Sequence, residues 1–235
     1  IVDIGSNDGT FLKGFKEKNM KVIGVEPTDI AKIAIDDGIE TIQEFFDESV
    51  ANKIKEKYGL ASIVTAANMF AHVPNLGNLI NGVENLLEDD GYFITESHYL
   101  LSILDTLQFD SIYHEHLKYY SVKDLIYLFN YYNFTVIDAE KIPNYGGSIR
   151  CYAQKGKSKK QTERLKNLLY EESKSDLYSK SVWNQFANNV LIQRKKFRNL
   201  ISNLLNEEKT ICGIGSPGRS STLLNFYGIS KHEMP

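Results

Sequence analysis

Disulfides, zinc knuckles and redox dithiols have little to build on in this chain, because its 235 residues include only two cysteines, Cys151 and Cys212, without paired spacing. Both are expected to stay reduced, as in a cytoplasm. No apolar run approaches the length of a membrane span, and no basic segment followed by an apolar one opens the chain. An excess of positive charge is missing too, with 27 Lys and Arg against 30 Asp and Glu and a formal net charge of -3. That balance exerts no general pull on a phosphate backbone, so neither nucleic acid nor membrane is an expected partner. An initiator Met is also lacking: the chain opens inside a strand-like run, residues 1–4, so an upstream segment is expected.

What is present is a hydrophobic content of 42%, enough for one substantial core or one core with a smaller appended unit. Strand-like runs at residues 1–4, 21–25, 39–42, 61–67 and 91–96 alternate with helix-like segments, the pattern of a parallel sheet covered by helices. Two more runs, near 134–140 and 148–154, are separated only by residues 141–147. That is too short for a crossover helix, so this last pair should be antiparallel. The expected fold is therefore α/β: over residues 1–155, a Rossmann-like sheet with helices on both faces, fitting the sheet of a class I methyltransferase.

The basic stretch 155–160 reads as a solvated linker opening a second segment, residues 156–208. There Leu165, Leu168, Leu169, Trp183, Phe186, Val190, Phe197, Leu200, Ile201, Leu204 and Leu205 recur at helical spacing and predict one or two long amphipathic helices. Residues 209–235 read as a strand at 210–212, a glycine-rich turn and a helix beginning near Ser220. A complete βαβ unit takes roughly 30 residues, so this is the expected start of an incomplete second Rossmann-like unit.

The turn holding Asp3, Gly5, Asn7, Asp8 and Gly9 follows the first strand and precedes a helix-like segment from Thr10, where a backbone turns sharply beside a ligand. Glu26 closes the second strand, about 20 residues on, where a carboxylate that binds ribose is expected. A dinucleotide pyrophosphate tolerates a carboxylate such as Asp8 poorly at the helix start. S-adenosylmethionine carries an ammonium and a sulfonium and no phosphate, so it is the expected cofactor. In the loop after the fourth strand, Asn68 and Phe70 are candidates for lining the same pocket, or else a turn former and a core residue.

Tyr113, His114, Glu115 and His116 concentrate titratable and aromatic groups beyond the fifth strand. A metal site is not expected there, since a helical zinc signature needs histidines one turn apart. These residues, the turn at 5–9 and the blocks at 68–72, 96–101, 146–150, 213–217 and 222–225 together resemble the C-methyltransferases that act on nucleotide-linked deoxysugars. Members of that family resemble one another in having an N-terminal zinc-binding domain, a central methyltransferase domain and a C-terminal domain that helps hold the nucleotide sugar. By that resemblance the first is expected to be absent here and the third incomplete, and Gly218, Arg219, Ser220 and Ser221 depart from the family's lysine-containing turn.

The resemblance implies a catalytic cluster of Tyr113, Glu115 and His116, with His72 facing it. C-methylation begins with loss of a proton next to a ketone, and histidine's ordinary pKa lies nearest neutrality, so His116 is the candidate base. Glu115 is a candidate to orient an imidazole or bind a sugar hydroxyl; Tyr113 and His72 are candidates to donate to the enolate oxygen. Tyr145, Ser148 and Arg150 are the implied contacts to the sugar nucleotide. The rival readings are transfer to oxygen or nitrogen on the same fold, and a module that binds a nucleotide sugar without catalysis.

Overall fold

The computed structural model describes residues 1–157 and 159–234; Ser158 of the expected linker and Pro235 of the expected last unit lie outside the described residues. Seven strands form one sheet: β1 (Val2–Ile4), β2 (Ile23–Val25), β3 (Thr41–Ile42), β4 (Ala61–Ala67), β5 (Leu87–His98), β6 (Phe134–Ile142) and β7 (Ser148–Lys155). Their order is β3-β2-β1-β4-β5-β7-β6. The first five strands run parallel, and β7 inserts antiparallel between β5 and β6. The expected sheet and its closing hairpin are thus both formed.

The helices start where short polar side chains can hold free backbone donors. In α3 (Glu48–Tyr58), Asp47 accepts from the Val50 N–H at 2.9 Å. In α6 (Val122–Tyr131), Ser121 and Asp124 form a reciprocal capping box. Side-chain alternation along β1 sends Val2 and Ile4 into the main core, shared with α3, α4 (Leu76–Leu86) and α6, while Ile1 packs on a separate cluster containing Leu12 of α1 (Thr10–Lys16) and Ala34 of α2 (Ala31–Asp36). Apolar cores on both faces leave the carboxyl ends of the parallel strands as the open edge, where ligands bind in such sheets.

Three differences from the sequence expectations matter. Strand β5 runs to His98, two residues past the expected end, because β7 pairs with it through Ser148 opposite His98. Lys155 is not linker: it is the last residue of β7, and its ammonium donates to the Glu84 and Leu87 carbonyls at 2.7 and 2.9 Å, at the carboxyl end of α4. The strand expected at 210–212 does not form, since no described strand pairs with that segment. Beyond α5 (Leu100–Asp105), the helical segment resolves into α7 (Glu163–Lys174) and α8 (Lys180–Asn206). A last helix, α9 (Ser220–Tyr227), joins α8 and the Ile103–Phe109 region in a second small core. Among the described residues, no helix is long and apolar enough to cross a membrane.

Candidate active site

Two cavities open side by side along the carboxyl ends of the strands. The first, of about 480 Å³, is lined by Ile4 and Gly5 at the end of β1, Val25, Glu26 and Pro27 at the end of β2, Phe45 and Phe46 after β3, and Met69 and His72 after β4. Glu26 is buried; its carboxylate accepts from the Asn7 N–H at 3.2 Å and from the Thr28 N–H and hydroxyl at 3.0 and 2.6 Å. A carboxylate offers about four acceptor sites, which leaves capacity for a ribose hydroxyl. Gly5 stands at φ 75°, where a Cβ would come within 3.2 Å of Met69, so only glycine keeps the floor of the cavity open.

These features fit S-adenosylmethionine better than a dinucleotide. Among the described lining residues there is no Lys or Arg to hold a pyrophosphate. The start of α1 is already occupied by a carboxylate, since Asp8 accepts the Thr10 N–H at 3.0 Å, and that bond holds the Asp8 carboxyl below its ordinary pKa. An acidic, phosphate-repelling edge beside an apolar cavity suits a cationic sulfonium bearing an adenosine. We expect Glu26→Ala to weaken binding of S-adenosylhomocysteine by about 1–3 kcal/mol, roughly 5- to 150-fold, as charge-assisted bonds to the ribose are lost. Calorimetry with unchanged affinity would remove Glu26 from the site.

Several residues expected at the cofactor lie elsewhere. Asp3 is buried under the turn, accepting from the Thr65 hydroxyl at 2.5 Å, and lines neither cavity. Gly9 begins α1 with positive φ, and a Cβ there would press on Ala34 and Ile39, so it serves helix packing. Asn7 contributes its backbone N–H to Glu26, its side chain turning back to Asp8. Phe70 is fully buried against Phe93, Phe129 and Tyr120, a core residue and not a pocket wall. Asn68 lines the second cavity instead of the first.

Burial, reinforced by the nearby Glu26 charge, raises the Asp3 carboxyl to about 6 against the opposing Thr65 bond. A folded-state pKa above the ordinary carboxylate value means that stability from this group is full below about pH 4 and is lost as pH rises through about 6. Asp3→Asn removes the ionisable group while keeping an acceptor for Thr65. We expect the variant to gain stability relative to the parent between about pH 4 and 7, by at most about 3 kcal/mol. Denaturant unfolding at both pH values would read this; an unchanged difference would mean that Asp3 is not strained by its burial.

The second cavity, of about 320 Å³, is lined by Asn68, Ala71, His72, Ser97, His98, Tyr113, Glu115, His116, Tyr145 and the turn Pro217, Gly218 and Arg219. His72 lines both cavities and therefore sits at their junction. The two loops that supply the histidines are stitched together: the Leu117 N–H donates to the Ala71 carbonyl at 3.1 Å and the Lys118 ammonium to the Val73 carbonyl at 2.7 Å. His72 Nδ1 donates to the Glu115 carbonyl at 2.9 Å, and His116 Nδ1 to the Ser111 carbonyl at 2.8 Å. A carbonyl can only accept, so both Nδ1 atoms carry hydrogen and each neutral ring keeps its lone pair on Nε2.

His116 stands at the centre, its ring 4.6 Å from Tyr113, 4.7 Å from His98 and 5.0 Å from His72. Burial lowers its pKa, the Ser111 bond opposing, so the ring is held unprotonated at neutral pH and fit to take a proton. The Tyr113 hydroxyl donates to the Glu115 carboxylate at 3.0 Å. That carboxylate therefore orients the phenol, while the same residue's backbone carbonyl orients an imidazole. His114 points outward, with 88% of its side chain exposed.

Of the three expected sugar-nucleotide contacts, only Tyr145 reaches the cavity, its ring 5.8 Å from His98. Ser148 is buried and donates to the Asn144 carbonyl. Arg150 is neutralised by Glu96 at 3.0 Å and Glu140 at 3.4 Å, one on each neighbouring strand, which removes it as a free cation for diphosphate. The cation lining the cavity is instead Arg219, which donates to the Ser111 hydroxyl at 2.8 Å and the Gln108 side-chain amide oxygen at 3.2 Å and lies 3.7 Å from the Asp110 carboxylate, a looser pairing than that of Arg150. Sequence reasoning did not single out Ser97, His98 or Arg219 as site residues. The signal for the first two was a polar triplet ending a strand that points at the ligand edge.

Residues 1–139 match the methyltransferase domain family and residues 143–235 the C-methyltransferase C-terminal domain family. A structure of an S-adenosylmethionine-dependent methyltransferase from Archaeoglobus fulgidus shares the fold, with a TM-score of 0.52 at 16% identity over 66% of this chain and 85% of that one. A putative enzyme of the same kind from Listeria monocytogenes gives 0.51 at 13% identity, over 66% and 90%. The chain is thus a member of the class I methyltransferases, whose cofactor is S-adenosylmethionine. It is also 33% identical along its whole length to the C-methyltransferase NovU of Streptomyces niveus, of which it spans 56%. That similarity runs through both matched domains; the chain belongs to the methyltransferase domain family, and its residues 143–235 match a C-methyltransferase C-terminal domain.

Proposed function

We propose that this chain transfers a methyl group from S-adenosylmethionine to a carbon next to the ketone of a nucleotide-linked keto-deoxysugar. The observation that carries this reading is His116: a buried imidazole whose Nδ1 is tied to a carbonyl and whose basic Nε2 is left free, in a cavity joined to the cofactor cavity through His72. Transfer to an oxygen or nitrogen that is already nucleophilic needs positioning more than a base, whereas a carbon acid needs a base.

When bound, the cofactor supplies an electrophilic methyl on a sulfonium. His116 Nε2 takes the proton from the carbon beside the ketone, and the electron pair of that C–H bond passes into the enolate. Gly5 and Glu26 would hold the cofactor that supplies the methyl for a new C–C bond at the enolate carbon, the electrons of the S–CH3 bond returning to sulfur. As the enolate forms, its oxygen gains charge at the cavity wall, where the Tyr113 hydroxyl is a donor, while His72, its Nδ1 hydrogen committed to the Glu115 carbonyl, borders both cavities. Tyr113, held by Glu115, flanks the base. Arg219 supplies a positive charge for the anionic nucleotide portion.

The test is incubation with S-adenosylmethionine and a thymidine-diphosphate-linked 4-keto-6-deoxyhexose, followed by NMR of the product. A new methyl on ring carbon supports the reading; a methyl on oxygen or nitrogen replaces it with the rival transfer, and binding without transfer reduces the chain to a binding module.

A further inference from the structure

Strand β5 places two residues at the acceptor cavity whose polar side chains nothing among the described residues satisfies. Ser97 Oγ and His98 Nε2 are both buried without a hydrogen-bond partner. Such atoms are costly in a folded chain and therefore rare. Their position is not loose: Ser97 pairs with Ile149 and His98 with Ser148 across β7, and the His98 ring is flanked by His116 at 4.7 Å and Tyr145 at 5.8 Å. Both residues line the acceptor cavity at the end of a strand held by a ladder, and their two orphan atoms make a preformed recognition surface that lacks its ligand groups.

We propose that Ser97 Oγ and His98 Nε2 form a hydroxyl-recognition subsite, which selects acceptors carrying a free hydroxyl at C2 or C3 of the sugar ring. This deepens the methyl-transfer reading above and rests on it. A serine hydroxyl donates and accepts, and a neutral imidazole presents one donor and one acceptor nitrogen. A ligand group that complements either atom in both its roles is itself a donor and acceptor, which a sugar hydroxyl is and a phosphate or methylene is not. Burial, with His116, Arg219 and His72 nearby, depresses the His98 pKa to about 4, so this ring stays uncharged at neutral pH and offers an anion no ion pair. The closeness of His98 to His116 puts the recognised hydroxyl near the carbon that loses its proton. Neither residue is asked to move a proton; they position the acceptor and reject one that would leave the two atoms unpaired.

The experiment compares a thymidine-diphosphate-linked 4-keto-6-deoxyglucose with its 2-deoxy and 3-deoxy counterparts, by calorimetry on chain loaded with S-adenosylhomocysteine and by steady-state methyl transfer. The parent is expected to prefer the fully hydroxylated acceptor over one of the deoxy forms by about 10- to 100-fold. His98→Leu and Ser97→Ala should each reduce that preference at least about fivefold, raising KM more than they lower kcat, and His98→Gln should restore part of it. Ser97→Ala removes a single oxygen and keeps the test open if His98→Leu does not fold. Absence of preference in the parent, or parental preference retained in both variants alongside active methyl transfer, overturns the subsite while leaving the proposed function standing. A parent that neither binds nor methylates any of the three acceptors overturns the proposed function, and the subsite with it.

Discussion

His116→Asn is expected to lower methyl transfer by about 10²- to 10⁴-fold, the range supplied by a positioned general base, while leaving acceptor affinity nearly parental. Asparagine can still donate to the Ser111 carbonyl that holds Nδ1, so the loop keeps its anchor and only the basic nitrogen is lost. The decisive readout separates proton removal from methyl transfer. With S-adenosylhomocysteine bound, the parent should exchange the acidic sugar C–H for deuterium in heavy water, since His116 lies in the wall of an open cavity. The variant should lose exchange and methylation together. Because the base acts unprotonated and burial lowers its pKa, parental activity should rise with pH through a limb below the ordinary histidine value near 6.5, and that limb should vanish in the variant. A variant that methylates at the parental rate would dismiss His116 as the base and make His72 the residue to test.

Glu172→Ala is expected to produce the largest loss of stability, although Glu172 lies in α7, outside both cavities. Its buried carboxylate accepts from the Val122 and Lys123 N–H groups at 2.5 and 3.1 Å, at the start of α6, and from the Tyr99 hydroxyl at 2.9 Å. A carboxylate there satisfies helix donors and opposes the positive end of the helix dipole. Alanine leaves three donors without their partner, two of them backbone, so a loss of about 3–4 kcal/mol is expected. For a chain of this size that lowers Tm by roughly 6–16 °C. Glu172→Gln should cost less, because its amide oxygen still accepts from one donor while its NH2 faces the others. Tyr99 directly follows His98, so an elevated KM for acceptor should accompany the lost stability. Thermal unfolding of the alanine variant within about 1 °C of the parent would show that the interaction is dispensable.

Much of the parallel sheet was legible because strand and helix each print a short-range period on the chain. The run at 61–67 coincides with β4, and the closing hairpin followed from the seven residues available to join its strands. The end of β5 was not legible, since Ser97 and His98 look like the polar exit of a strand until β7 is known to pair with them. Arg150 misled for a related reason. Glu96 and Glu140 lie 54 and 10 residues from it, and only the register that sets all three side by side reveals that its charge is already matched. Phe70 was open to either reading, and the packing of Phe93, Phe129 and Tyr120 around it made it core.

The amino-acid sequence by itself determined the strand order of appearance, the turn at residues 5–9, the place of Glu26 at the end of the second strand and the density of reactive groups at 113–116, all of which depend on neighbours close in the chain. The tertiary structure alone decided which of those groups are chemically free. His116 and His72 are fixed as Nδ1 tautomers by carbonyls of Ser111 and Glu115, His98 is left neutral and unpaired, and Arg219 arrives from more than a hundred residues away to share a cavity with them. Proton position, burial and charge pairing are set by whatever partner lies within about 3–4 Å, and those partners come from segments that only folding brings together.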